Sequence, residues 1–262
     1  MEVIILADAA AVGRVAALKI ASVFREKPDG VLGLATGSSP LATYAALHDL
    51  VEAGALDLGA VRGFALDEYV GIPADHPESY ASVIHREVVE PLRMDPKLVH
   101  VPDGRADDVL VACAAYERDI AEAGGIDVQI LGIGANGHIG FNEPTSSFAS
   151  RTRIKTLAPK TIDDNARFFA SSEEVPKHCL TQGLGTILDA RELVLVATGE
   201  AKQAAIAAMV EGPLTSMCPG SALQLHQHAT VIIDEAAAVR LTLADYYRHT
   251  YANKPSWQQF DV

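Results

Sequence analysis

Apolar runs alternate with helix-period patterns from one end of the chain to the other. The runs at 3–7, 31–35, 63–66, 128–133, 193–197 and 230–233 are nearly continuous in apolar residues, as strands buried on both faces are. Helical periodicity falls between them, at 9–25, 41–53, 106–123 and 200–210. This alternation predicts an α/β fold, an open, mostly parallel sheet with helices on both faces, Rossmann-like in layout. No Pro-rich or Ser-rich linker, low-complexity tract or internal repeat divides the chain, so residues 1–262 are expected to form one domain. The most broken segment, 213–220, is too short to mark a boundary.

Composition agrees with a packed core, since 49% of the residues are hydrophobic and only 21% charged. The start, Met1-Glu2-Val3-Ile4-Ile5-Leu6, lacks the basic opening and cleavage site of a signal peptide, and no apolar run is long enough to span a bilayer. Cys113, Cys179 and Cys218 are odd in number and contain no Cys-x-x-Cys pair, which suits buried thiols in a reducing cytoplasm. A net charge of −13 argues against nucleic acid or an anionic membrane as partner. It leaves room for a small anion such as a phosphorylated metabolite, held by a few local cations and amides.

The most informative stretch is Gly132-Ile133-Gly134-Ala135-Asn136-Gly137-His138-Ile139-Gly140-Phe141-Asn142-Glu143-Pro144, a glycine-rich loop after the strand at 128–133. Loops of that kind carry the chemistry of open α/β sheets. Gly132, Gly134 and Gly137 satisfy Gly-x-Gly-x-x-Gly, but Pro144 and a Ser-rich stretch follow where a dinucleotide site needs a helix and a distal acid. His138 has an ordinary titration point of ~6.5, so it can accept and return a proton. Glu143 can fold back on it, and Asn136 lies beside it. Asp67 and Glu68 follow the strand at 63–66. An exposed Asp, titrating near ~3.9, is a feeble base, but desolvation by Phe64 and Tyr69 would strengthen it. Alone, an Asp-Glu pair reads better as a cap or a solvated turn.

Thr36, Gly37, Ser38 and Ser39, ahead of a helix opened by Pro40, form a phosphate cradle or, equally, an ordinary capped turn; the Gly-Lys-Ser/Thr ending of an ATP site is missing. Arg167 lies in a short helical pattern and Lys202 in the first turn of the helix after the strand at 193–197; either reads equally as a surface charge, although a cation there suits a nearby anion better than the helix itself. His226 and His228 have no third ligand near them in sequence, so no metal is assigned.

Four segments together resemble the glucosamine-6-phosphate deaminase family of the nagB type. They are Asp67-Glu68-Tyr69-Val70-Gly71, His76-Pro77-Glu78-Ser79-Tyr80, Gly137 to Pro144, and Ser150-Arg151-Thr152-Arg153-Ile154-Lys155-Thr156-Leu157. The likeness runs from the Thr36-Gly37 loop to about Leu225 and leaves the tail from Tyr251 onward unmatched. It implies a nagB and ribose-5-phosphate-isomerase-like fold, and conversion of glucosamine 6-phosphate and water to fructose 6-phosphate and ammonia in amino-sugar catabolism, without metal or redox cofactor. By the same resemblance His138 opens the sugar ring, held by Glu143 and Asn136. Asp67 carries the C2 proton to C1, and Thr36 to Ser39 with Arg167 and Lys202 hold the phosphate. Some members have Asp where this chain has Asn136, and an amide adds no negative charge beside the imidazole.

The resemblance also implies a homo-oligomer, hexameric in regulated members. There N-acetylglucosamine 6-phosphate binds at subunit contacts through residues similar to Ser146, Ser147, Arg153 and Lys155; a solvated basic strand is the plainer reading of the last two. Two rivals share the fold. A 6-phosphogluconolactonase has a different, apolar segment after its histidine, and sugar-phosphate-sensing regulators add a basic helix-turn-helix for which the strand beginning at Val3 leaves no room.

Overall fold

The computed structural model describes residues 1–262 except 74, 170 and 259–262, together with the side chains of Asp164 and Trp257. The last four belong to the tail left unmatched by the resemblance, so that part of it lies outside the described residues.

The strands are β1 (Glu2–Leu6), β2 (Val31–Leu34), β3 (Arg62–Ala65), β4 (Asp67–Tyr69), β5 (Val99–His100), β6 (Val128–Leu131), β7 (Arg153–Thr156), β8 (His178–Thr181), β9 (Glu192–Ala197) and β10 (Ala229–Asp234). The helices are α1 (Ala9–Glu26), α2 (Leu41–Glu52), α3 (Tyr80–Ile84), α4 (Val109–Glu122), α5 (Pro159–Asn165), α6 (Leu184–Leu188), α7 (Gln203–Val210), α8 (Glu235–Ala238) and α9 (Ala244–Ala252). Seven strands form one sheet in the order β1-β10-β9-β6-β2-β3-β5, every pair parallel. The six strands expected from apolar runs all lie in it, with ends shifted by one or two residues. Their side chains are buried throughout β2, β6 and β10, because helices cover both faces of a parallel sheet.

Helix α1 shows how local sequence builds this layer. Asp8 accepts the Ala11 amide at 2.8 Å and caps the first turn, and Val12, Ala16, Ile20 and Phe24 then repeat on the buried face. Full burial of a side chain such as Ile20 or Phe24 contributes about 1.5–3 kcal/mol. The helix expected at 106–123 starts later, at Val109, because the Asp108 carboxylate caps Leu110 and Val111. The one expected at 200–210 opens with a 3-10 turn, Glu200–Lys202, before α7.

The periodicity did not disclose a second, antiparallel sheet, β4-β8-β7. Its strands are short and rich in polar residues, Asp67-Glu68-Tyr69, His178-Cys179-Leu180-Thr181 and Arg153-Ile154-Lys155-Thr156. Asp67 therefore does not end β3. The chain leaves the main sheet at Leu66, whose amide still bonds the Leu34 carbonyl, and Asp67 opens a strand of the other sheet.

Strand order fixes where a ligand fits. From β2 the chain runs outward to β3 and β5, then returns to β6 on the opposite side of β2, the switch point at which open α/β sheets bind ligands.

Helices α1 and α2 touch at Gly13, where an added methyl would lie 2.3 Å from the Ala42 carbonyl oxygen. Gly13→Ala should lower stability by about 1–3 kcal/mol through overpacking, although Ala favours an open helix position. Chemical denaturation reads this directly, and a more stable variant would disprove the close contact.

Candidate active site

The loop after β2 begins at Ala35, whose amide and carbonyl are both tied to the Tyr44 hydroxyl, at 3.1 and 2.8 Å. This fixes where Thr36, Gly37, Ser38 and Ser39 leave the sheet. Gly37 has a φ of +90°, a conformation that favours glycine, and nothing crowds the space above it. Pro40 occupies the cap position of α2 rather than its first turn. Across the switch point a methyl on Gly132 would lie 3.3 Å from the Ser39 Cβ, so the loops after β2 and β6 are in contact. Lys202, expected in the first turn of a helix, stands at the cap of α7, and its ammonium donates to the Ile133 carbonyl at 2.6 Å. The sheet thus gathers the four residues of the β2 loop and Lys202 at the switch point.

Arg167 comes from a different element, after β7. It is exposed on the 3-10 turn Ala166–Phe168, with its guanidinium 4.7 Å from the centroid of the Phe168 ring.

The loop after β6 folds tightly enough to bring its own ends together. The Gly134 amide donates to the His138 carbonyl at 2.9 Å, and a methyl on Gly134 would lie 2.2–2.4 Å from the imidazole, so only glycine leaves room for the ring. Nδ1 of His138 lies 3.7 Å from Oε2 of Glu143, within ion-pair range but beyond a hydrogen bond. Asn136 acts around the ring rather than on it. Its amide donates to Glu143 Oε2 at 2.7 Å, and its oxygen accepts the His138 backbone N–H at 3.2 Å.

Thr161, on α5, donates to the other oxygen of Glu143 at 2.5 Å. Burial alone would raise the Glu143 carboxyl. The His138 imidazole, the Thr161 hydroxyl and the Asn136 amide outweigh it and bring the carboxyl down to about 2. Glu143 is therefore a fixed anion beside the histidine.

Asp67 meets the same loop from the small sheet. Its Oδ2 lies 3.5 Å from where a Gly140 methyl would be, two residues beyond His138, and the Thr181 hydroxyl lies at 3.0 Å from that point. Burial, and then the charge of neighbouring Glu68, push the Asp67 carboxyl well above the ordinary carboxylate range. Glu68, next along the strand, points the other way and accepts the amides of Tyr69, Tyr80 and Ala81 at 2.7, 3.0 and 2.9 Å. The two acids are thus separated in role by strand alternation.

Sequence reading missed the residues that hold these parts together. The Thr181 hydroxyl accepts the Phe141 amide at 3.1 Å, and Asn142 donates to the Gln182 carbonyl at 2.8 Å. Gln182 itself bonds Leu66 through its amide at 2.7 Å and Ala65 through its side chain at 3.1 Å. Tyr80 stacks on Phe141, its hydroxyl lies next to Thr36, and it donates to Tyr69, which also accepts from Asn165 at 3.0 Å. The buried polar ones, Asn142, Thr161, Thr181 and Gln182, stand out by type, but the partners that matter lie many residues away in sequence.

The β2 loop, Lys202, the histidine loop and a desolvated carboxylate are thus linked by contacts along the loop after β6. Residues 6–232 match the family model described as glucosamine-6-phosphate isomerases/6-phosphogluconolactonase. The chain belongs to this family. It is 60% identical over 259 residues to a glucosamine-6-phosphate deaminase of Streptomyces coelicolor, covering 98% of this chain and 99% of that one. A glucosamine-6-phosphate deaminase of Cutibacterium acnes is 60% identical over 250 residues, 95% and 96% of the two chains. A solved structure described as a monomeric glucosamine-6-phosphate deaminase, a missing link of the NagB superfamily, superposes with a TM-score of 0.89 at 40% identity, over 92% of this chain and all of that one. The 6-phosphogluconolactonase of Trypanosoma cruzi shares the fold, with a TM-score of 0.72 at 23% identity over 92% and 97% of the two chains. Among the described residues no helix is long and apolar enough to cross a membrane.

Asp67→Asn tests the desolvated carboxyl. The unfolded chain releases this proton near ~4 while the folded chain retains it, so the acid weakens the fold as pH rises from there through its folded titration point. The amide variant should melt roughly 2–4 °C higher than wild type above neutrality and about level with it near pH ~4. Calorimetry at the two pH values decides, and an equal difference at both would disprove the shift.

Proposed function

We propose that the chain converts glucosamine 6-phosphate and water to fructose 6-phosphate and ammonia, the reaction named for its relatives. The observation that carries this reading is the Asp67 carboxylate beside Gly140, in the loop whose imidazole stands over Gly134.

In this reading the phosphate lies on Thr36, Gly37, Ser38 and Ser39 with Lys202. Arg167, exposed on its turn, joins them as a further cation. His138 takes the anomeric hydroxyl proton and returns it to the ring oxygen, opening the sugar. Glu143, an anion under ordinary conditions, balances the imidazolium so formed, and Asn136 keeps Glu143 and the loop in register. Asp67 then removes the proton from C2 of the open aldose and delivers it to C1. The C2–H electron pair forms the enolamine double bond as the C1 oxygen takes up a proton; protonation at C1 then leaves the iminium at C2, whose nitrogen returns a proton, and water hydrolyses the imine to the ketone and ammonia. A desolvated carboxyl suits this step, because its higher titration point makes it a stronger base than an exposed Asp.

Release of fructose 6-phosphate and ammonia in equal amounts from glucosamine 6-phosphate is the expected result, with Asp67→Asn lower by about 10²–10⁴-fold in kcat. Hydrolysis of 6-phosphogluconolactone in place of this would establish the lactonase alternative, and tight sugar-phosphate binding without turnover a sensing role. Three free, buried thiols, Cys113, Cys179 and Cys218, support placement in a reducing cytoplasm.

A finer proposal is regulation by N-acetylglucosamine 6-phosphate in a hexamer, through Ser146, Ser147, Arg153 and Lys155. Arg153 and Lys155 share one face of β7, and the buried Ser146 hydroxyl has no partner among the described residues. The Ser147 hydroxyl accepts the Ala149 amide at 3.2 Å. The relative described as monomeric weighs against the hexamer. Sedimentation and rate measurements with the effector should show a hexamer whose rate rises; a monomer with unchanged hyperbolic kinetics would exclude regulation of this kind.

A further inference from the structure

Behind Asp67 stands a second carboxylate that the proposed reaction does not use. Glu68 is 6% exposed, and three backbone N–H groups converge on it: Tyr69 and Tyr80 on Oε1, Ala81 on Oε2. Such a set of donors is satisfied by the acceptor-only, ionised form. Two of the three begin α3, and Tyr80 from that turn stacks on Phe141, with ring centroids 6.0 Å apart, while its hydroxyl lies next to Thr36. One buried carboxylate therefore holds a helix start that touches both the β2 loop and the histidine loop.

We propose that Glu68 is a positioning residue of the proton-transfer site, its amide-bonded carboxylate fixing Tyr80 between the two loops and setting a negative charge beside Asp67. The proposal rests on the deaminase reading and assigns work to a residue that reading leaves idle.

The neighbourhood of Asp67 gives that charge its effect. The titratable groups around Asp67 are Glu68 and Tyr69 on its own strand, Tyr80 on α3, Tyr116 on α4, Cys179 on β8, and His138 and Glu143 on the loop after β6. The three phenols and the thiol are all held above their ordinary values, burial being the first cause, and stay neutral. Glu68 is the charge that acts on Asp67, and it acts to favour the protonated form. Burial raises the Glu68 carboxyl above its ordinary value, and the Tyr80, Ala81 and Tyr69 amides, followed by Arg105, offset part of that rise in favour of the ionised form. Protein stands between the two carboxylates in place of water, so the repulsion is felt at more than its aqueous strength. The consequence is a stronger base at Asp67.

Two substitutions separate the parts. Glu68→Gln removes the charge and keeps an acceptor for Tyr69 and Tyr80; Glu68→Asp keeps the charge and shortens the reach to α3. The assay is fructose 6-phosphate release by the full chain, with kcat/KM followed across its acid limb. In Glu68→Gln the limb should move to lower pH by about one unit, the direction expected when a like charge is removed from a base. In Glu68→Asp the limb should stay in place while KM rises, because Tyr80 no longer braces Thr36.

An active wild type with an unmoved limb in Glu68→Gln overturns the proposal and leaves the deaminase reading intact. If Glu68→Gln fails to fold, the wild-type profile and Glu68→Asp decide. A wild-type limb near ~4, where an unperturbed Asp titrates, or a limb displaced in Glu68→Asp as far as expected for the amide, overturns it. A wild type that releases no fructose 6-phosphate sinks the deaminase reading itself, and the role of Glu68 with it.

Discussion

Four hydrogen bonds at the end of β8 hold the candidate site in shape. Gln182 bonds Leu66 and Ala65 where the chain leaves the main sheet, and Asn142 and Phe141 bond Gln182 and Thr181 from the histidine loop. Asp67 and His138 come from different crossovers, so nothing in the parallel sheet alone obliges them to face each other. The end of β8 does, by tying the β3–β4 bend and the loop after β6 to the same two residues. Thr181 and Gln182 are buried, as is Asn142, so each of these bonds is shielded from competing water and a missing partner would leave a polar group stranded.

Within that frame two carboxylates are driven in opposite directions. Glu143 is buried but receives a hydroxyl and an amide, and stays ionised far below the usual range. Asp67 is buried beside another acid, with no side-chain donor among the described residues to offset it, and is pushed up. The chemical kinds are nearly identical, and their surroundings alone divide them into a fixed charge and a base. The same logic explains why Asn136 is matched to its place: its amide donates 2.7 Å from a Glu143 oxygen, where a second carboxylate would repel the first.

Chain leaving the site also carries strain. Thr145 has a φ of +77°, rare for a β-branched residue, and its amide is held to the Ser216 carbonyl at 2.8 Å. A close turn there lets the segment after Glu143 pass outward to Arg151 and Thr152, where Glu117 of α4 accepts both side chains and the Thr152 amide. That anchor seats β7 against α4, so the small sheet carrying Asp67 is fixed at both edges.

The sequence by itself determined the parallel sheet, because a strand covered by helices on both faces needs apolar residues at consecutive positions, and that signal is local. It also determined the loops of interest: Thr36 to Ser39 and His138 with its glycines announce themselves by residue type next to an apolar run. The family resemblance added roles that spacing could not supply. Only the tertiary structure decided that Asp67 belongs to a second, antiparallel sheet, that Glu68 faces away from it, and that Thr161, Thr181 and Gln182 complete the site. Those features rest on polar side chains meeting across long sequence separations. Their energy comes from burial and from satisfied donors, and neither leaves a periodic trace in the chain.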